Sequence, residues 1–310
     1  MTPTIAVITG PTASGKTALS VALAHALDGE VVSADSMQVY HGMDIGTAKP
    51  TAREMDGVPH HMLDVAAPGE AYSVSRYEQA AAECVYDILA RGKTPIVCGG
   101  TGLYIDALVR GGGFQPPGDA ALRAALDARW AEEGADALTA RLRAVDPESA
   151  ARLHPGDKKR ILRALEVHAL TGKTITAHNA ETRARPPRFE ARTLALTTDP
   201  RSILYARIDK RVDTMLTRGL EDEVRRLHAN RLLTGTAAQA IGYKELVDYI
   251  EGRCTLEEAA DKIKQGSRNY AKRQLSWLRV REGVRWLVWN TPEQMDILLP
   301  EATDFLRASL

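Results

Sequence analysis

The apolar run Ile5 to Thr9 leads directly into Gly10-Pro11-Thr12-Ala13-Ser14-Gly15-Lys16-Thr17, and a helix-patterned segment, Ala18 to Leu27, follows. Strand, glycine-rich loop and helix in that order make G-x-x-x-x-G-K-[ST] a phosphate loop rather than an ordinary turn. Successive backbone N–H groups curl around an anion, and the helix N-terminus adds partial positive charge. The Lys16 ammonium reaches an outer phosphate, and the Thr17 hydroxyl is placed to ligate Mg²⁺. The loop specifies a bound polyphosphate. It does not specify whose, or what becomes of it.

The pattern that follows fits that start. Glu30–Ala34, Pro95–Cys98 and Thr193–Leu196 are short apolar runs bounded by turn signals, with helical patterns such as Ser75–Arg91 between them. This alternation predicts a phosphate-loop NTPase-like α/β fold, a parallel sheet flanked by helices. Val284–Trp289 is expected to add an edge strand. The alternation breaks after Leu108. Gly111-Gly112-Gly113 and Pro116-Pro117-Gly118 read as a flexible joint, residues 119–150 as helices, and Arg183 to Arg192 as the return joint. The expected organisation is a catalytic core of residues 1–114 and 193–310 around a helical insertion domain, 115–192. Thr255 and Glu258 have capping-box spacing, which predicts a helix from about Leu256 to about Arg281.

The 310 residues carry 40 basic and 40 acidic side chains, so a globally basic nucleic-acid binder is excluded and any such surface must be local. Cys84, Cys98 and Cys254 form no C-x-x-C pair, which suggests reduced thiols and a cytoplasmic protein. The N-terminus runs straight into a core strand without signal-peptide character, and no apolar run approaches a membrane span.

Asp35, in Ser33-Ala34-Asp35-Ser36, follows the second strand, where α/β proteins place ligands. It suits a general base or a metal ligand through water; a helix-capping aspartate is the plainer alternative. Gly99-Gly100-Thr101-Gly102 follows the third strand, and Thr101 could hold a leaving oxygen or orient Asp35. Lys159, Arg160 and Arg163 share one face of an amphipathic helix whose other face carries Ile161, Leu162 and Leu165. The stretch from Lys262 to Arg285 is basic, with Tyr270 and Trp277 interleaved, a combination suited to nucleic acid; both aromatics equally suit a helix core, which is the better reading for Trp277. The pair His60-His61 has no Cys or His partner at ligand spacing, which argues against zinc.

Taken together, these residues resemble the tRNA dimethylallyltransferases, also called tRNA isopentenyltransferases. The blocks that carry the resemblance are Gly10 to Thr17, Ser33 to Pro50, Gly57 to Asp64, Gly99 to Tyr104, Arg160 to Val167, Ala240 to Leu246 and Tyr270 to Gln274, in the family's order over about residues 4–281. Gly156, His41 and Leu278 depart from the family's usual Asn, Arg or Lys, and Phe.

The resemblance implies transfer of a dimethylallyl group from dimethylallyl diphosphate to N6 of adenosine 37 in tRNA, with Mg²⁺ as cofactor and release of diphosphate. It implies that Gly10, Pro11, Thr12, Ala13, Ser14, Gly15, Lys16 and Thr17 hold the diphosphate and that Asp35, Thr101 and Lys16 are catalytic. Contacts to the anticodon stem-loop would come from Asp35, Ser36, Met37, Gln38, Thr101 and Arg123. Lys159, Arg160, Ile161, Leu162 and Arg163 would join them, as would Ala240, Ile241, Gly242, Tyr243, Lys244 and Glu245. A monomer is expected. Two other classes share the loop: an ATP-dependent small-molecule kinase, and a nucleotide switch or RNA-binding module without catalysis.

Overall fold

The computed structural model describes residues 2–111 and 118–308. It divides into two compact units, one taking the chain up to Gly111 and again from Arg188, the other the stretch between. Much of the expected joint, Gly112, Gly113, Pro116 and Pro117, lies outside the described residues.

The larger unit holds a sheet of six parallel strands: β1 (Thr4–Thr9), β2 (Gly29–Ser33), β3 (His60–His61), β4 (Thr94–Cys98), β5 (Glu190–Thr197) and β6 (Val284–Val288). Their order across the sheet is β3-β2-β4-β1-β5-β6. Helices α1 (Lys16–Ala26), α2 (Ala52–Met55), α3 (Val74–Ala90) and α4 (Gly102–Arg110) come first. Helices α5 (Ala120–Val145), α6 (Pro147–Arg152), α7 (Lys158–Thr171) and α8 (Ile175–Ala184) form the smaller unit. Helices α9 (Arg201–Thr217), α10 (Leu220–Ala229), α11 (Tyr243–Ile250), α12 (Leu256–Arg279) and α13 (Met295–Arg307) complete the larger one.

The central strand β1 is apolar at every core position because both of its faces are covered. Ile5 and Val7 point into one core with Tyr77, Ile88, Tyr104 and Tyr243, while Ala6 and Ile8 point into the other with Leu19, Leu23, Leu298 and Leu306. Each fully buried Ile or Val contributes roughly 1.5–3 kcal/mol. The smaller unit has its own core, built on Leu126, Leu138, Leu142 and Ile161.

The edges of the elements differ from the sequence reading for physical reasons. β3 is two residues long and polar, too short to show a period. His61 Nε2 lies 2.8 Å from the Glu30 carboxylate on β2. β5 starts at Glu190, inside the stretch read as a return joint. Its first residues are polar, yet the Arg188 and Phe189 amides already donate to the Val109 carbonyl and Phe189 is fully buried. The long α5 is interrupted at Gly134, whose φ of 84° is not helical. The capping box that predicts α12 is formed: Glu258 N donates to Thr255 Oγ1 (3.2 Å) and Thr255 N to Glu258 Oε2 (2.8 Å).

Candidate active site

The phosphate loop spans from β1 to α1. Gly15 caps α1 at φ 92°, and the ring of Trp289 lies where a Cβ would project, about 2.1 Å away. Only glycine satisfies both conditions. Within the loop the Lys16 Nζ donates to the Pro11 carbonyl at 2.8 Å. Burial pushes the Lys16 amine down to about 8, with Arg211 acting in the same direction and Cys98 and Asp35 opposing it. Ser14 Oγ is buried and has no hydrogen-bond partner among the described residues.

A glutamine from α12 ties this loop to its neighbour. Gln274 Oε1 accepts from Thr12 N (2.8 Å), and Gln274 Nε2 donates to the Gly100 carbonyl (2.9 Å) in the turn after β4. That same turn holds the turn after β2. The Thr101 amide donates to the Ala34 carbonyl (3.1 Å), and Thr101 Oγ1 accepts from Ser36 N (3.1 Å). Thr101 thus fixes Asp35 through the backbone on either side of it and not through the carboxylate.

Asp35 caps its own turn with one carboxylate oxygen. Its Oδ1 is spent locally, accepting from Met37 N (2.8 Å) and Gln38 N (3.4 Å). Its second oxygen makes no hydrogen bond within the described residues and remains available to a ligand. The half-buried carboxylate lines a cavity of about 490 Å³ together with Thr12, Ser36, Met37, Arg211 and Tyr270. Ala240 to Lys244 line the same cavity. Burial and the Asp35 charge push the Tyr270 phenol up to about 12, against hydrogen bonds to Thr101 and Gln274.

The smaller unit carries a separate cleft between α5 and α7, lined by Arg123, Lys158, Lys159, Leu162, Arg163 and Glu166 among others. The Glu166 side chain is 1% exposed and binds Arg123 (2.9 Å) and Arg163 (2.8 Å) at once. Opposite charge on both sides holds its carboxyl below the usual range despite burial. Arg160 turns outward and pairs with Asp157. Ile161, expected among the RNA contacts, is fully buried in the core of this unit, and its side chain cannot touch RNA.

Residues 38–281 match the IPP transferase family, and residues 3–67 match isopentenyl transferase. The tRNA dimethylallyltransferase of Geobacillus thermodenitrificans is 48% identical over 311 residues, covering 100% of this chain and 98% of its own. The chain belongs to the tRNA dimethylallyltransferase family. The Bacillus subtilis relative of the same name is 44% identical over 94% of this chain and 93% of its own. Among solved structures, the tRNA isopentenylpyrophosphate transferase of Bacillus halodurans is 41% identical with a TM-score of 0.71, covering 98% of this chain and 97% of that one. A eukaryotic dimethylallyltransferase acting on tRNA is 30% identical with a TM-score of 0.79, covering 95% and 76%. The enzyme is therefore a prenyl transferase of the tRNA-modifying kind, not the ATP-dependent kinase that the phosphate loop alone would allow.

Two residues at the site of this transferase, Arg211 and Gln274, were given no role by the sequence, although Gln274 ends the Tyr270 to Gln274 block. Arg211 joins Ile208, Val212 and Met215 on the cavity wall. Burial pushes its guanidinium down, against the attraction of Asp35 and Glu54. The signal was a charged residue inside an apolar stripe, at the i+3 position from Ile208, where a solvated arginine has no business. Gln274 is 6% exposed on a helix otherwise read for its basic residues. Those basic residues are less available than their number suggests: Lys264 pairs with Asp213, Arg268 with Asp209, Arg281 with Asp106 and Arg285 with Glu301.

Proposed function

We propose that this enzyme transfers the dimethylallyl group of dimethylallyl diphosphate to N6 of adenosine 37, beside the tRNA anticodon, with Asp35 as general base. The observation that carries the proposal is that Asp35, Thr12 of the phosphate loop and Arg211 border one cavity. The C1–O bond of the allylic diphosphate breaks and the N6–C1 bond forms. The N6 proton passes to Asp35, and diphosphate leaves with the bonding electron pair.

Each half of the step has its residues. Lys16, the free backbone N–H groups of the phosphate loop and Arg211 would face the charge that develops on the leaving diphosphate. The allylic carbon needs no covalent enzyme intermediate, since its positive charge delocalises. Adenine N6 is a poor nucleophile because its lone pair is drawn into the ring, and a positioned base typically contributes ~10²–10⁴-fold. The target base must leave its stack to reach the cavity. Ser36, Met37 and Ala240 to Lys244 line that cavity, and with Gln38 and Glu245 they are read as contacts to the base.

The Thr17 hydroxyl, an oxygen donor in the first turn of α1, would hold a Mg²⁺ ion, a hard cation that takes oxygen ligands. The ion would neutralise charge on the leaving group. Arg123, Lys159 and Arg163 of the insertion are read as contacts to the anticodon stem, where phosphates and shape dominate recognition. A cytoplasmic monomer accords with a tRNA substrate; among the described residues no helix is long and apolar enough to cross a membrane.

The test is incubation with Mg²⁺, labelled dimethylallyl diphosphate and an unmodified anticodon stem-loop carrying A36-A37-A38, beside a copy with G at position 37. Label in the first alone is the expected result. Label in both moves the target base elsewhere, and label in neither, with full tRNA also unreactive, removes the reading.

A further inference from the structure

Glu223 on α10 is 7% exposed and does not line the cavity, yet its side chain bonds Gly46 and Tyr243, which do, and the two residues that lead into Gly46. Its Oε2 accepts from Asp44 N (3.0 Å) and Ile45 N (2.9 Å), and its Oε1 from Gly46 N (3.1 Å). Three successive amides converging on one carboxylate form an anion nest, here filled by a side chain from 177 or more residues further along the chain. Oε1 also takes the hydroxyl of Tyr243 at 2.6 Å. The Tyr243 ring is fully buried and lies so close to Gly46 that a Cβ there would sit 2.5 Å from it.

The clamped segment continues into the groups around Asp35. The carbonyls of Thr47 and Ala48 accept from Gln38 Nε2 at 3.2 and 3.3 Å, while Gln38 Oε1 accepts from the Ser33 hydroxyl at 3.1 Å. The Gln38 amide is therefore held one way round, with both N–H groups used and one lone pair of its carbonyl left over. Lys49 secures the far flank, donating to the Tyr40 carbonyl and to Asp44 and Asp64.

We propose that Glu223 is a positioning residue for the transfer reaction. From outside the cavity it sets the Asp44–Ala48 segment, and through that segment the orientation in which Gln38 offers its carbonyl to the adenine amine. This rests on the reading of Gln38 as a contact to the target base. A neutral amide in place of the carboxylate would put an N–H donor among three backbone donors, so the nest would open and the Gln38 amide would lose its fixed orientation.

The experiment is a double-mutant cycle with Glu223→Gln and Gln38→Ala, read as kcat/KM on the A37 stem-loop, with diphosphate binding as the control for a folded phosphate loop. Glu223→Gln is expected to lower kcat/KM by about tenfold or more while the diphosphate Kd stays within about twofold, and to add less than about threefold to the loss in Gln38→Ala. A full additive loss in the double variant, or unchanged kcat/KM in Glu223→Gln, overturns the proposal while leaving the base-contact reading intact. Gln38→Ala with unchanged kcat/KM overturns the base-contact reading and this proposal with it. If Glu223→Gln does not fold, Tyr243→Phe, which keeps the ring against Gly46, replaces it in the same cycle. The same non-additivity supports the proposal, and additivity overturns it.

Discussion

The Lys16 amine rests on the carbonyl oxygen of Pro11, 2.8 Å away within its own loop. Burial, with Arg211 beside it, lowers its pKa to about 8. A bound diphosphate favours the ammonium and raises that value. Below pH 8 the free enzyme already carries the proton. Above it, binding must take one up, and affinity falls by up to about tenfold per pH unit until the pKa of the complex is reached. Calorimetric titration of diphosphate into the wild type and Lys16→Met isolates this term as the difference of their pH profiles. Parallel profiles would show that the amine does not titrate there.

Asp35→Asn keeps the local turn, since an amide oxygen accepts from Met37 N as the carboxylate does. Removing the proton acceptor should lower single-turnover rates at saturating substrates by ~10²–10⁴-fold. Diphosphate affinity should stay close to wild type. Wild-type turnover in the variant would end the general-base assignment.

Arg123 and Arg163 share one buried carboxylate, so the pair with Glu166 carries a net single positive charge. Arg123, 55% exposed, presents its remaining N–H donors to a phosphate. Arg123→Ala should weaken tRNA binding and reduce the slope of log affinity against log salt by about one. Fluorescence anisotropy across a salt series reads both. An unchanged slope would move the stem contact away from this cleft.

Glu30 tests the sheet edge independently of the site. Hydrogen bonds from Arg91, and then His61, hold its carboxyl down to about 2, against burial. A depressed carboxylate contributes stability above its unfolded pKa of about 4.5, and that contribution is lost as pH falls through about 2. Arg91 is 40% exposed, so solvent screens the pair, and Glu30→Gln should cost about 2 kcal/mol at pH 7. Urea unfolding should show the gap between the two proteins closing between about pH 4.5 and pH 2. A pH-independent gap would assign the loss to packing alone.

The sequence was most legible where chemistry and fold impose the same residues. The phosphate loop needs its glycines for backbone path and its lysine for charge, and a buried parallel strand such as β1 needs an unbroken apolar run. Legibility failed where a residue's role comes from a distant partner. Gln274 looks like any polar helix residue until Thr12 and Gly100 are found at either end of its amide. Glu223 looks like a solvated acid until three amides converge on it. Thr101 was expected to orient Asp35 or hold a departing oxygen; its hydroxyl and amide grip the backbone on either side of Asp35, a route no motif spells out. Short polar strands such as β3, and the polar start of β5, carry no period at all; pairing with a neighbour makes them strands.

The phosphate loop is complete in the chain by Thr17, yet it cannot take its working form until late in translation. Its strand β1 lies between β4 and β5, Thr12 is held by Gln274, and Gly15 abuts Trp289. A nascent chain still attached to the ribosome at residue 270 has the whole phosphate loop and neither the contact from Gln274 of α12 nor that from Trp289 after β6. The first residues made are among the last to become functional, so a polypeptide cut short in its final forty or so residues leaves its most recognisable motif intact and without use.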